Sequence, residues 1–391
     1  MFSDRTNWKL TRNRLTEALE EVRSSSARVL DLTVSNPTRV GLLYDEALIF
    51  QSLASQRVMD YDPQPKGLLS AREAVAAYYR DQHDVRGLDS ERLVLTTSTS
   101  EGYSFVFRLL CNPGDELLVP KPSYPLFEFI ADLQDVKLVP YPLIYDHGWQ
   151  MDFPSLKKSV TKRTRGVVVV HPNNPTGSYV HPHELESLNR FCREHSFALI
   201  ADEVFFDYAH DQAGRQSLAS NQDVLTFTLS GLSKISALPQ MKVAWFATSG
   251  PAAEVEAAQA RLEIIADTYL SMNAPIQWAT PALLNQRESI QRQLLDRVLD
   301  NLAELDRQLA RQETCRRLHV EGGWYAVMRV PVTQTDEELA VDLLRRKSVL
   351  VHPGHFYDFP SDGYLVLSLI GPGAEFAEGI GRVLELLIAD F

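Results

Sequence analysis

The sequence predicts an α/β fold: a large domain with a mostly parallel sheet flanked by helices, joined to a smaller α+β domain. Three observations carry this. Strand-like and helix-like segments alternate along most of the chain. The strand-like segments are short, apolar and poorly alternating, as in strands buried on both faces. The length, 391 residues, exceeds what one compact core holds.

Taken in order, Ser70-Ala-Arg-Glu73 reads as a capping box that opens a helix over AREAVAAYYRDQ. RLVLTT reads as a strand and Glu101 to Leu110 as a helix. ELLVP, VKLVPYP, GVVVVH, FALIAD, VLTFTLS and KVAWFATS read as further strands. YPLFEFIADL and the stretch from His183 to Glu194 read as helices between them. Beyond about residue 252 the pattern changes, and QRESIQRQLLDRVLDNLAELDRQLARQ has the apolar spacing of one long connecting helix. Shorter strands and helices fill the last quarter. Residues 46–285 are expected to form the large domain, and 1–45 with 286–391 the small one.

Composition narrows the class. The formal net charge of −12 repels phosphate backbones, so nucleic acid is not an expected partner. No apolar run approaches the roughly 18 residues of a membrane span, and the charged start lacks the apolar core of a signal peptide. Three well-separated cysteines, Cys111, Cys192 and Cys315, suggest reduced thiols in a cytoplasmic protein and offer no metal-site spacing.

In open α/β sheets, ligands bind beyond the carboxyl ends of the strands. The residues just after each strand are therefore the candidates. Ser98, Thr99 and Ser100 precede a helix, where hydroxyls, backbone N–H groups and the positive dipole end form an anion cup; plain helix capping would use the same residues. Tyr124 lies on a proline-bracketed turn and could stack on a ring. In PNNPTG, Asn174 offers an amide to a ligand oxygen, although a simple tight turn would need the same sequence. Asp202 ends a buried strand and needs a partner: an arginine, a helix terminus or a protonated ring nitrogen. Lys234, after Ser233 in GLSK, stands where a lysine can act as an amine nucleophile, and Lys242 could add a second positive charge. Together these are the parts that pyridoxal phosphate (PLP) chemistry requires.

The chain resembles the class I/II aminotransferases, the fold-type I PLP-dependent enzymes of the aspartate aminotransferase superfamily. The resemblance is carried by HPNNPTG at 171–177, ADEVFFDY at 201–208 and SGLSKISALPQMKVAW at 230–245. YDPQPKGLLSAREAVAAYY at 61–79 and NPGDELLVPKPSYP at 112–125 agree with it. It implies a homodimer with shared active sites, in which Tyr61 reaches the partner's cofactor phosphate. It further implies Ser98, Thr99 and Ser100 at the phosphate, Tyr124 stacking, Asn174 on the ring hydroxyl, Asp202 on the pyridinium nitrogen and Lys234 as the Schiff-base lysine.

Three positions depart from the family pattern. Phe205 replaces a tyrosine that donates to the ring oxygen, which should raise the pKa of the cofactor–lysine linkage unless a neighbour such as Tyr208 substitutes. Lys242 replaces an arginine and loses the bidentate fork. Val366 in GYLVLSLIGP stands where the family often has the arginine that clamps the substrate carboxylate. Either another cation binds the carboxylate, for which Arg39 in SNPTRVGL is the candidate with Asn36 beside it as a second substrate contact, or the substrate differs from an ordinary α-amino acid; a solvated loop position would equally account for Arg39.

The resemblance implies transamination, with an amino donor and a 2-keto acid as substrates. A PLP-dependent lyase catalysing β-elimination shares its early steps and is the alternative. A non-catalytic PLP-binding regulator ranks lower, because such relatives usually carry an appended DNA-binding domain. A dinucleotide-dependent dehydrogenase has no GxGxxG after a strand to support it.

Overall fold

Short apolar runs bounded by turn formers become strands, and longer amphipathic runs become helices. The computed structural model describes all residues except Lys9, Ser26, Leu126, 212–214 and 390–391. In chain order the strands among the described residues are β1 Leu30–Asp31, β2 Leu93–Thr96, β3 Glu116–Lys121, β4 Lys137–Tyr145, β5 Trp149–Met151, β6 Thr164–Val170 and β7 Ala198–Asp202. They continue as β8 Thr226–Gly231, β9 Ala244–Ser249, β10 Arg316–Arg317, β11 Tyr325–Arg329, β12 Val349–Leu350, β13 His352–Pro353 and β14 Tyr364–Ser368.

The main sheet has eight strands in the order β2-β9-β8-β7-β6-β3-β4-β5. Strands β8, β7, β6, β3 and β4 are mutually parallel. β9 is antiparallel to both β8 and β2, so β2 runs in the same direction as β8. The carboxyl ends of β2, β3, β6, β7 and β8 therefore share one edge of the sheet.

Both faces of this sheet are buried, which explains why its strands lack alternation. Val168, Val170 and Ile200 pack on one face against the helices Thr99–Leu110 and Ala252–Tyr269, through Val106 and Leu262. Val167, Val169 and Leu199 pack on the other against Leu188 and Phe191 of the helix Pro182–His195. Their neighbours Leu93, Leu95 and Trp245 meet Val75 and Tyr79 of the helix Leu69–His83.

A second apolar core joins Leu15, Leu30, Leu32 and Val40 to residues beyond 290. It is sealed by the helix Arg287–Leu309, whose Ile290, Leu294, Val298 and Leu305 recur on one face. That helix lies within the long stretch read from sequence. Two further helices, Ala252–Tyr269 and Ala274–Asn285, precede it. Strand β1 pairs parallel with β12, Leu30 opposite Val349, so the N-terminal segment is tied to the C-terminal one. A four-stranded antiparallel sheet, β10-β11-β14-β13, completes this part.

Two local expectations are corrected. The helix Leu69–His83 is not opened by a Ser70 capping box: Leu68 is its N-cap and makes no side-chain cap bond. The start is set instead by burial of Leu68 and by its N–H, which donates to Gln277 Oε1 at 2.6 Å. Lys242 does not begin a strand. It occupies a left-handed turn conformation (φ 54°) before β9 and is exposed.

Candidate active site

The shared carboxyl edge opens on a cavity of roughly 380 Å³, within the usual size range for small-molecule sites. Each strand contributes residues at or just past its carboxyl end, and the far side is closed by Tyr325 and His352 of the C-terminal sheet and Tyr357 of the 3-10 turn after β13. Of the residues singled out from sequence, Ser98, Thr99, Ser100, Tyr124, Asn174, Asp202, Phe205, Ser233 and Lys234 line it.

Lys234 stands on the single-turn helix Leu232–Ile235 that comes directly after β8. Glycine is required just before it. A Cβ on Gly231 would lie 2.8 Å from the Val243 carbonyl oxygen and 2.9 Å from Ala244 Cα, because β8 and β9 approach closely there. Lys234 Nζ lies 4.8 Å from the centre of the Trp324 ring and 5.3 Å from that of Phe205. It has no hydrogen-bond or ion-pair partner among the described residues. Burial pushes its pKa down to about 8, opposed by the charge of Asp202.

Asp202 ends β7. Its Oδ2 accepts from the Tyr103 hydroxyl at 3.0 Å and its Oδ1 from the Val204 N–H at 3.1 Å. Burial pushes its pKa up to about 6, while these hydrogen bonds and Lys234 pull it back. The next carboxylate, Glu203, serves another purpose. It accepts from Ser217 Oγ and from the Leu218 N–H, and so anchors a loop away from the cavity.

The turn carrying Asn174 is held firmly. Asn173 donates to the Pro122 carbonyl and accepts from Ser123 Oγ, and the Gly177 N–H closes the turn on the Asn173 carbonyl. Asn174 itself is buried, and its Oδ1 has no partner among the described residues. Ser98 caps the helix Thr99–Leu110 by accepting from the Glu101 N–H, which presents that helix's N-terminus to the cavity wall.

Other expected residues are not brought together here. Arg39 is exposed and does not line the cavity, and the Asn36 side chain accepts from Thr38 N and Oγ1. Lys242 does not line it either. Tyr61, expected at the partner's site rather than in this cavity, is exposed and borders a separate pocket with Arg57 and Trp278. Val366 is fully buried within β14. Tyr208 cannot substitute for the hydroxyl missing at Phe205. It does not line the cavity, and its OH donates to the Lys234 carbonyl at 2.7 Å. Sequence reasoning missed Tyr103, Trp324, Tyr325, His352 and Tyr357. Residues 349–351 form a short apolar run, so treating the carboxyl end of every strand as a candidate position would have found His352; the helical Tyr103 carries no such signal.

Among the described residues no helix is long and apolar enough to cross a membrane, and no His, Cys, Asp or Glu cluster could hold a metal ion.

Fold and site together define an α/β enzyme with a lysine at the centre of its cavity. Residues 45–368 match the family model for aminotransferase class I and II, and the chain belongs to that family. It is 28% identical over 369 residues to alanine aminotransferase of Mycobacterium bovis, covering 93% of this chain and 86% of that one. It is 27% identical to the glutamate-pyruvate aminotransferase AlaA of Haemophilus influenzae, covering 92% and 91%. Among solved structures, alanine aminotransferase from Pyrococcus furiosus superposes with a TM-score of 0.89 at 21% identity, with both chains fully covered. At that identity the likeness establishes the fold.

Proposed function

We propose that the cavity holds pyridoxal phosphate on Lys234 and that the chain transfers an amino group from a small α-amino acid such as L-alanine to a 2-keto acid. The observation carrying this is one cavity with a half-buried, unpartnered lysine amine, the carboxylate of Asp202 and the unsatisfied amide oxygen of Asn174. These residues fit the cofactor. Asp202 would hold the ring nitrogen protonated, Asn174 would face the ring hydroxyl, Tyr124 would cover the ring, and Ser98, Thr99 and Ser100 would receive the phosphate at the helix N-terminus. Phe205 would meet the ring through an apolar edge and donate no hydrogen bond.

When bound, the cofactor supplies an aldehyde for the lysine amine and a protonated ring that accepts the electron pair left on the donor's α-carbon. Lys234 Nζ would take the α-proton of the donor and later release it, acting as base and then acid. The lowered pKa suits this, because a useful share of the amine is uncharged near neutrality. Trp324 and Phe205 flank the amine with apolar ring surface.

The relatives' names support alanine, glutamate and pyruvate as the first substrates to try. A cytoplasmic homodimer is part of the same reading. Tyr61, Met59, Phe50 and Leu43 are exposed on the surface, where a second copy would cover them and bring Tyr61 to its cofactor phosphate.

The test is the visible spectrum of PLP-loaded protein treated with L-alanine, L-glutamate and simple amines. Bleaching by one donor and restoration by pyruvate are expected. A keto product accompanied by free ammonia would instead mark elimination, and an unresponsive spectrum would refute both.

A further inference from the structure

A 2-keto acid carries a carboxylate, and so does any α-amino acid that yields one. The cavity provides little to meet it. Lys234 and Asp202 are the sole Lys, Arg, Asp or Glu among its described lining residues, and the transamination reading uses Lys234 at the reacting carbon and Asp202 at the ring nitrogen. A buried carboxylate without a donor or counter-charge is strongly disfavoured. The strand position opposite β13 offers no help, since Val366 pairs with His352 on one side and Val327 on the other.

His352 is the remaining polar group of that wall able to donate through nitrogen. Its Nδ1 lies 3.0 Å from the Tyr357 hydroxyl. If Tyr357 donates, Nδ1 is the acceptor and Nε2 carries the proton. Nε2 has no partner among the described residues. Tyr325 borders the same end of the cavity, its hydroxyl likewise without a described hydrogen bond.

Resting on the transaminase reading, we propose that His352 is the specificity-determining residue that binds the substrate carboxylate through Nε2–H. Tyr357 is a positioning residue that fixes its tautomer, and Tyr325 adds a second donor. The site thus recognises a carboxylate by neutral hydrogen-bond donors in place of a guanidinium. A mono-carboxylate with a small side chain fits; a second carboxylate would find no cation.

The experiment compares L-alanine with ethylamine, which differ by the carboxylate, in the single-turnover bleaching of PLP-loaded protein. It also measures propionate binding by its perturbation of the same spectrum. His352→Leu is expected to lower the L-alanine to ethylamine ratio and the propionate affinity by roughly ten- to a hundredfold, the scale of one hydrogen bond to a charged group. His352→Gln, which keeps a neutral donor, is expected to recover part of both. Tyr357→Phe is expected to lower the ratio severalfold. Should His352→Leu fail to load cofactor, His352→Gln and Tyr357→Phe carry the test. Unchanged ratios and propionate affinity in loaded variants would overturn the proposal. So would loss of the preference in Arg39→Ala with its retention in His352→Leu. A wild-type spectrum that no donor bleaches would count against the transaminase reading itself, while propionate binding would still report on His352.

Discussion

At the scale of single residues, the site works by burial set against a few counter-groups. Lys234 and Asp202 face each other in low dielectric, and burial moves both toward neutrality: the amine down to about 8, the carboxyl up to about 6. The sign of the first shift has a direct consequence. Burial penalises the ammonium form, so the charged lysine is lost as pH rises through about 8. Attack on the cofactor aldehyde requires the uncharged amine. Loading of cofactor-free protein with pyridoxal phosphate should therefore speed up by up to roughly tenfold between pH 7 and 9, then level off. Stopped-flow absorbance measures this, and a flat profile would mean that the amine is not the titrating nucleophile. Phe205 belongs to the same scale. Its ring packs edge-on against Trp324 at 5.1 Å, so the aromatic shell around the amine is continuous but lacks a hydroxyl.

At the scale of elements, the site is a property of strand ends. Asp202, Asn174, Lys234 and the Ser98–Ser100 turn were legible because each comes at the end of an apolar run that had to be a strand. Parallel packing then brings such ends to one edge. The wall formed by Tyr325, His352 and Tyr357 was far less legible. β12 and β13 are two residues each, too short for periodicity to register. The Ser70 capping box misled for a related reason: the local motif was present, but Gln277, more than two hundred residues away, decided where the helix starts. Arg39 could be singled out by its charge, but nothing in a local sequence shows on which side of a turn it will lie. The close approach of β8 and β9 yields a prediction at this scale. Gly231→Ala places a Cβ against the Val243 carbonyl and Ala244. It should push the strands apart, destabilise the fold by about 1–3 kcal/mol and displace Lys234. Urea unfolding together with cofactor loading tests this; unaltered values in both would show that the strand pair yields without cost.

At the scale of the whole molecule, two ties link the large sheet to the segment that carries Tyr357. Lys121 Nζ lies 2.8 Å from Asp358, and the Ser123 N–H donates to the Tyr357 carbonyl at 3.0 Å. They join the end of β3 to the turn before β14, and so hold the tyrosine that supports His352. The ion pair is partly exposed, which limits its worth. Lys121→Met should change unfolding free energy by less than about 1 kcal/mol, because the backbone bond from Ser123 remains. A larger loss in a denaturant titration would show that the ion pair, rather than the peptide group, carries the connection. The switch from sheet strands to helices after β9 was legible from the change of pattern near residue 252. The parallel pairing of β1 with β12 was not, because both strands are two residues long.

The cavity takes its walls from Ser35 at one end of the sequence and Tyr357 near the other. During synthesis, the strands up to β9 can emerge from the ribosome and pair while the last wall is still untranslated. A chain at that stage carries Lys234 but none of Tyr325, His352 and Tyr357, which line the finished cavity. Only after β13 has been made and Leu30 has found Val349 does that lysine gain its enclosure. A ligand that needs the complete cavity would then bind only the finished chain, drawing it toward the native state rather than guiding its assembly.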